Sequence, residues 1–104
     1  MALRPPRDSH HRLREQTGND VLGMEIMAEM ASSLGRAGED ADKALRRLES
    51  LQRDDPLRTE ALKSAARAVY AYFIQRELCG LRRHQDAIRD YRIPDEVLVR
   101  LGAS

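Results

Sequence analysis

The sequence lacks tryptophan and has few of the residues that dominate a large core or a chemical site. Four of its 104 residues are aromatic, and one, Cys79, is a cysteine. A single cysteine excludes a disulfide within the chain and favours a reducing compartment. A chain this short buries a modest core and often gains stability from a partner.

Long apolar runs and a strong net charge are also missing. The longest uninterrupted apolar run, residues 68–74, is far too short to cross a bilayer. No apolar segment follows the initial Met, so we expect no secretory signal. The formal net charge of +1 creates no global attraction to nucleic acid or to an anionic membrane. We therefore expect a cytoplasmic bacterial protein that does not act at a membrane.

Helical periodicity is the main feature that is present. Small and apolar residues recur at alternating spacings of four and three over residues 23–51. This phase continues through Gly35 and Gly38, which fall off the stripe, and it favours one helix from about Asp20 to Arg53. The alternative is a break, because glycines inside a helix cost about 1 kcal/mol each relative to Ala, and the two acids after Gly38 could cap a new helix. The stripe comprises Gly23, Met27, Met30, Leu34, Ala37, Ala41, Ala44, Leu48 and Leu51.

The first 19 residues differ in composition from the rest of the chain. They are polar and contain four arginines and two histidines. Asn19 or Asp20 can accept hydrogen bonds from the first N–H groups of a helix that begins at Val21. We therefore divide the chain into a polar N-terminal arm, residues 1–19, and a single all-helical domain, residues 20–104.

A second helix is predicted from Leu57 to about Cys79. Pro56 disfavours helical geometry at the residue before it and suits the first turn of a new helix. Between residues 65 and 74, apolar side chains reach most of the way round the helix, which is typical of a segment with more than one neighbour. Gly80 is expected to end or kink this helix.

Two short helices are predicted at the C-terminal side. Leu81, His84, Ile88 and Tyr91 recur at spacings of three, four and three, which predicts a helix over residues 81–91. Pro94 suits the first position of a helix over residues 94–101. The stretch "RAVYAYFIQRELCGLRRHQDAIRDYRIPDEVLVRLGAS" resembles small all-helical bacterial proteins of unknown function. The resemblance rests on this C-terminal stretch, implies a helical fold, and carries no activity, ligand or site residue.

Cys79 and His84 are the most obvious candidates for chemistry. A structural zinc site needs about four ligands in closely spaced pairs, and no second cysteine is available. As a nucleophile pair they are five residues apart, which places them on different faces of a continuous helix. We expect Cys79 to pack at a helix end and His84 to lie at the edge of the core with one hydrogen bond.

Glu25 and Glu29 lie one turn apart, but the Glu-x-x-His motifs of carboxylate-bridged metal bundles are absent. We interpret the pair as a solvated acidic face. The prediction is a protein without enzyme activity, cofactor or metal.

The alternative function is a small DNA-binding regulator that uses the two C-terminal helices. Against it, Asp95 and Glu96 at the start of the last helix would repel phosphates, and acids are interleaved with the arginines. We therefore expect no specific nucleic-acid partner. The arginines are Arg82, Arg83, Arg89 and Arg92, and the interleaved acids are Asp86 and Asp90.

The predicted fold is all-α, with a long antiparallel helical hairpin and short C-terminal helices. One narrow stripe cannot cover both apolar sides of the second helix, so we expect two hairpins to close into a dimeric four-helix bundle. The predicted function is that of a homodimeric scaffold or interaction module, and an unidentified protein partner is compatible with it. The predicted interface residues are Met27, Met30, Val69, Tyr70, Tyr72, Phe73 and Ile74.

Overall fold

A computed structural model describes the backbone of residues 6–102 and the side chains of residues 18–101. All regular structure in this part of the chain is helical, as predicted, and it contains no strand. The four helices are α1 (Pro6–Ser50), α2 (Arg58–Leu78), α3 (Gln85–Asp90) and α4 (Asp95–Gly102).

The first helix is continuous through both glycines. α1 contains 45 residues, and neither Gly35 nor Gly38 interrupts it. The prediction that it starts at Val21 is wrong, because the helix already begins at Pro6. Proline suits the first helical position, where no intrahelical N–H bond is needed. Asn19 and Asp20 therefore lie inside the helix, where such residues cost up to about 0.7 kcal/mol each relative to Ala.

An aspartate side chain organises the turn between α1 and α2. The side chain of Asp55 accepts a hydrogen bond from the backbone N–H of Leu57 at 2.8 Å. The Asp55 carbonyl oxygen accepts the N–H of Arg58 at 3.0 Å. This Asx turn satisfies N–H groups at the start of α2 and explains why the helix begins within one residue of the predicted position.

Gly80 ends α2 rather than kinking it. Its φ angle of 88° lies in the left-handed region that favours glycine. The N–H of Leu81 donates to the carbonyl of Arg76 at 2.8 Å, and the N–H of Gly80 donates to that of Glu77 at 3.0 Å. These two bonds form a Schellman motif, which satisfies free carbonyls at the end of the helix.

The predicted helix over residues 81–91 is shorter in the structure. α3 begins only at Gln85, and residues 81–84 are not helical. The Schellman motif reverses the chain direction at Gly80, and the Arg76 side chain donates to the carbonyl of Arg83 at 2.8 Å. Residues 81–84 therefore bond to the end of α2 instead of adding a turn to α3.

α3 ends in the same way, without a glycine. Arg92 has a φ angle of 51°. The N–H of Ile93 donates to the carbonyl of Ile88 at 3.0 Å, and the N–H of Arg92 donates to that of Arg89 at 3.2 Å. This second Schellman motif turns the chain into α4 and brings Ile93 into the core.

The chain divides into two compact units, Met1–Met30 and Ala31–Ser104. In the second unit, residues from all four helices form one buried apolar cluster. Five of its eleven buried members are alanines, so this core depends on close backbone approach more than on large side chains. The predicted division of the chain after residue 19 stays a prediction. The cluster comprises Ala41, Leu45, Leu48, Ala61, Ala65, Ala66, Val69, Tyr72, Ala87, Ile93 and Val97.

Candidate functional site

A pair of stacked tyrosines lies against α1. The rings of Tyr72 and Tyr91 are 5.1 Å apart and nearly parallel, with an interplanar angle of 12°. Gly38 is buried beside them, and a β-carbon there would lie 2.8 Å from the Tyr91 hydroxyl. The prediction that Gly38 falls off the buried face is therefore wrong, because the two rings occupy the space that its missing side chain leaves.

Tyr91 forms hydrogen bonds through both its phenol and its backbone carbonyl. A hydrogen bond with Tyr72, together with burial, raises the pKa of the Tyr91 phenol to about 12. The guanidinium of Arg46 donates to its backbone carbonyl. Both contacts fix the end of α3 against other helices, so this cluster has a structural role.

His84 is the centre of a second aromatic cluster. Its ring stacks on Phe73 at 4.1 Å with an interplanar angle of 4°. The Nε–H of Arg76 donates to His84 Nδ1 at 3.2 Å, and Nε2 lies 3.0 Å from a Glu77 carboxylate oxygen. His84 therefore has two side-chain partners rather than the one predicted, and it precedes α3 rather than lying within it.

Both ring nitrogens of His84, the candidate base at this end of α2, are consequently in contact with side chains of the same chain. An imidazole that accepts from Arg76 at Nδ1 carries its own proton at Nε2, which faces Glu77. Neither nitrogen is left to activate Cys79 as a nucleophile. Within residues 18–101, no three His, Cys, Asp or Glu side chains are grouped so that they could hold a metal ion.

An ion pair joins the start of α2 to α4. The guanidinium of Arg58 donates two hydrogen bonds to the carboxylate of Glu96, one of them 3.3 Å long. The hydrogen bond from Arg58 holds the pKa of Glu96 below its usual range, and Glu96 in turn raises the pKa of Arg58. The pair forms part of the wall of a cavity of about 540 Å³, whose other walls also include Leu45 and Leu48. Glu96 therefore occupies the two terminal nitrogens of the Arg58 guanidinium.

The four arginines of the predicted basic cluster do not all lie on one helix. Arg89 lies 3.1 Å from Asp86 and 3.5 Å from Asp90, so both interleaved acids contact this one arginine. Arg92 occupies the left-handed turn, 3.8 Å from a Glu49 carboxylate oxygen. Arg82 and Arg83 lie in the non-helical segment, so a helix does not present the four arginines together.

The predicted interface residues separate into two groups. Val69 and Tyr72 are buried within the chain itself, and their assignment to an interface stays a prediction. Met30 is half-buried, and so is Phe73 under the His84 ring. The three that remain exposed are Met27 (70 %), Tyr70 (54 %) and Ile74 (38 %).

Two further surfaces went beyond the sequence prediction, which had named as interface residues only Met27 and Met30 of the first and only Tyr70 of the second. The first is the acidic apolar segment, residues 18–30, where five large apolar side chains are more than half exposed. It contains three acids and no Lys or Arg. The sequence signal for this surface was the stretch "VLGMEIM", residues 21–27, whose large apolar side chains lie all round the helix instead of along one stripe. The five apolar residues are Val21, Leu22, Met24, Ile26 and Met27.

The second surface is the cationic groove, which lies between α2 and α4 and has a volume of about 620 Å³. Its apolar lining residues are Ala66, Tyr70 and Leu101. Its charged lining residues are Lys63, Arg67 and Arg100, and no acid among residues 18–101 lines it. The i, i+4 spacing of Lys63 and Arg67 was the available sequence signal.

These features define a small all-helical protein whose charged clusters bind its helices together and whose apolar side chains remain partly on the surface. Among the described helices, none is both long enough and apolar enough to span a bilayer. The chain belongs to the family of unknown function DUF6665, whose model matches residues 1–104. The likeness to such a family is thus confirmed, but it is not confined to the C-terminal half. No curated protein and no solved structure is significantly similar to the chain.

Proposed function

We propose that this protein is a non-enzymatic helical interaction module that acts as a homodimer. In this proposal α1 and α2 form a hairpin, and two copies close into a four-helix bundle about a two-fold axis, the commonest symmetry of oligomers. Support for the hairpin comes from the core, where Leu45 and Leu48 of α1 share one cluster with Ala61 and Ala65 of α2.

The observation that carries the proposal is the amount of apolar side chain on the surface. Besides the acidic apolar segment, Tyr70, Ile74 and Leu78 of α2 are also exposed. Full burial of one such side chain contributes about 1.5–3 kcal/mol. Exposed apolar patches mark interaction sites on small proteins. A second copy is the partner that every solution of the protein contains.

The chemistry of the polar clusters supports a structural role as well. The ring nitrogens of His84 contact Arg76 and Glu77, and the Arg58–Glu96 pair joins two helices. Each of these groups has a partner within the chain. A site for general acid–base or nucleophilic catalysis needs such a group directed towards a substrate instead.

The direct test is the mass of the protein in solution. Gel filtration with light scattering at concentrations from about 1 to 100 µM should give a dimer that dissociates only on dilution. The melting temperature should fall as the protein is diluted, because folding is then linked to association. A monomer mass throughout this range, with a melting temperature independent of concentration, would contradict the proposal.

The DNA-binding alternative lacks a comparable observation. Arg89 is neutralised by two aspartates, and Asp95 and Glu96 lie at the start of α4, where phosphates would have to approach. It remains a separate hypothesis with its own test.

A further inference from the structure

We infer that the acidic apolar segment of one chain occupies the cationic groove of a second copy, and that the second copy does the same in return. This inference rests on the proposed homodimer and names the two surfaces that form it.

The charges of the two surfaces are complementary. The segment carries Asp20, Glu25 and Glu29, and its sequence contains no Lys or Arg. Of the residues whose side chains the structure describes, three cations and no acid line the groove. In addition, Glu25 and Glu29 are four residues apart, as are Lys63 and Arg67, so each pair projects from one side of its helix. Opposite charges at equal spacing steer two helices towards each other and fix their register.

The apolar parts also match in kind. The apolar residues that line the groove are Ala66, Tyr70 and Leu101, and Tyr70 is more than half exposed. The segment offers Leu22, Ile26 and three further large apolar side chains that the chain leaves uncovered. An amphipathic helix that lays its apolar side chains into a groove with charges at the rim is a common mode of recognition.

The groove cations are available for such a contact. Among residues 18–101, Arg67 and Arg100 form no ion pair with a carboxylate. Lys63 has only Glu60, at 3.8 Å on the same helix and with both side chains exposed. An exposed pair of this kind contributes little, so exchanging it for an interface partner costs little.

Self-complementarity identifies a second copy as the occupant. Every chain carries both surfaces, the apolar side chains of the segment are exposed, and the groove is open. Pairing of two segments with each other would bring like charges together. Contact of each segment with the partner's groove avoids this, and a two-fold axis supplies two identical contacts.

Charge inversion in two single variants tests this arrangement. Glu25→Lys and Arg67→Glu should each weaken the homodimer by about tenfold or more, because both equivalent contacts then join like charges. Mixing the two variants should restore a dimer of near wild-type affinity, since the introduced lysine faces the introduced glutamate in one contact and the native pair remains in the other. Sedimentation velocity of each variant and of the equimolar mixture measures these affinities. Glu39→Lys and Lys43→Glu, which invert exposed charges elsewhere on α1, should leave the dimer unchanged.

Each outcome separates this inference from the proposed homodimer. If the wild type is monomeric, both fail. If the wild type is a dimer and either single variant dimerises normally, or the mixture is not restored, the homodimer stands and the inference is overturned. It is also overturned if the wild-type groove binds vesicles containing anionic lipid and Arg67→Glu abolishes that binding without changing the dimer. Helical circular dichroism of every variant confirms that folding is retained.

Discussion

Gly38 and Tyr91 are in contact across two helices, and the tyrosine hydroxyl occupies the position next to the missing glycine side chain. An added β-carbon would lie 2.8 Å from that oxygen and 3.3 Å from the nearest Tyr72 ring carbon. Real β-carbons do not approach other heavy atoms within 3.0 Å, so the stacked rings would have to move. Packing against the two tyrosine rings, and not the geometry of the helix itself, therefore requires glycine at this position.

Gly35 and Gly38 should consequently respond to substitution with opposite signs. Gly35→Ala should raise the free energy of unfolding by up to about 1 kcal/mol, because its surroundings are open and alanine favours the helix. Gly38→Ala should lower it by about 1–2 kcal/mol through overpacking. Urea denaturation measures both values. In a Tyr91→Phe background Gly38→Ala should cost less, and an unchanged cost would contradict the contact with the hydroxyl.

At position 92 the protein should be more stable with glycine than with alanine. Its φ of 51° places a β-carbon in the left-handed region, which costs about 1 kcal/mol for a residue other than glycine. Arg92→Gly should therefore be about 1 kcal/mol more stable than Arg92→Ala, which loses the same charge but keeps the β-carbon. Comparing these two variants removes the contribution of the exposed contact with Glu49. Equal stability in thermal melts would show that the turn is not strained.

The Arg58–Glu96 pair should make stability depend on pH. The pKa of Glu96 is lowered in the folded state by its hydrogen bond with Arg58, so the pair stabilises the fold above the ordinary glutamate pKa of about 4.3. This stabilisation is lost as the pH falls through the lowered folded value. Glu96→Gln should melt at a lower temperature than the wild type at pH 6, and the gap should narrow towards pH 2–3. Glu60→Gln, an exposed glutamate, should show no such gap.

Ile74 tests the interface on α2. Ile74→Glu should weaken dimerisation by about tenfold or more, because a charge would be buried without a partner, while the chain itself stays folded around this partly exposed position. Leu57→Glu is the matched control, since Leu57 is also apolar and exposed. Light scattering on dilution measures both. If the two variants have equal dimer affinities, Ile74 lies outside the interface.

Nucleic-acid binding should be weak and unspecific. We expect duplex DNA to bind with affinity no better than about micromolar at physiological salt, as for ordinary phosphate contacts. Fluorescence anisotropy with an unrelated sequence as control measures this. Nanomolar affinity with a steep dependence on salt, lost in Arg82→Ala with Arg83→Ala, would favour the DNA-binding alternative instead.

Local rules account for most of the helix boundaries. The heptad phase predicted the continuity of α1 through Gly35, since a break would free the second half to take any phase. Pro56 marked the boundary before α2, because proline restricts its own φ angle. Gly80 marked the end of α2, because glycine permits a positive φ angle. Neither effect depends on the rest of the fold. These features act over a few neighbouring residues and can therefore be predicted from the sequence.

Tertiary structure decided which side chains of these helices are buried and which are exposed to solvent. Apolar residues surround α2 in the sequence, yet Val69 is fully buried and Tyr70, next to it, is more than half exposed. The direction of each depends on where α1, α3 and α4 lie, and periodicity on one helix does not contain that information. Likewise, His84 has helical spacing to its neighbours, but contacts with Phe73 and Arg76 outweigh that preference and hold it before the helix. The sequence by itself determined that helices form and where α2 begins and ends, whereas only packing between helices determined which of their side chains remain available to a partner.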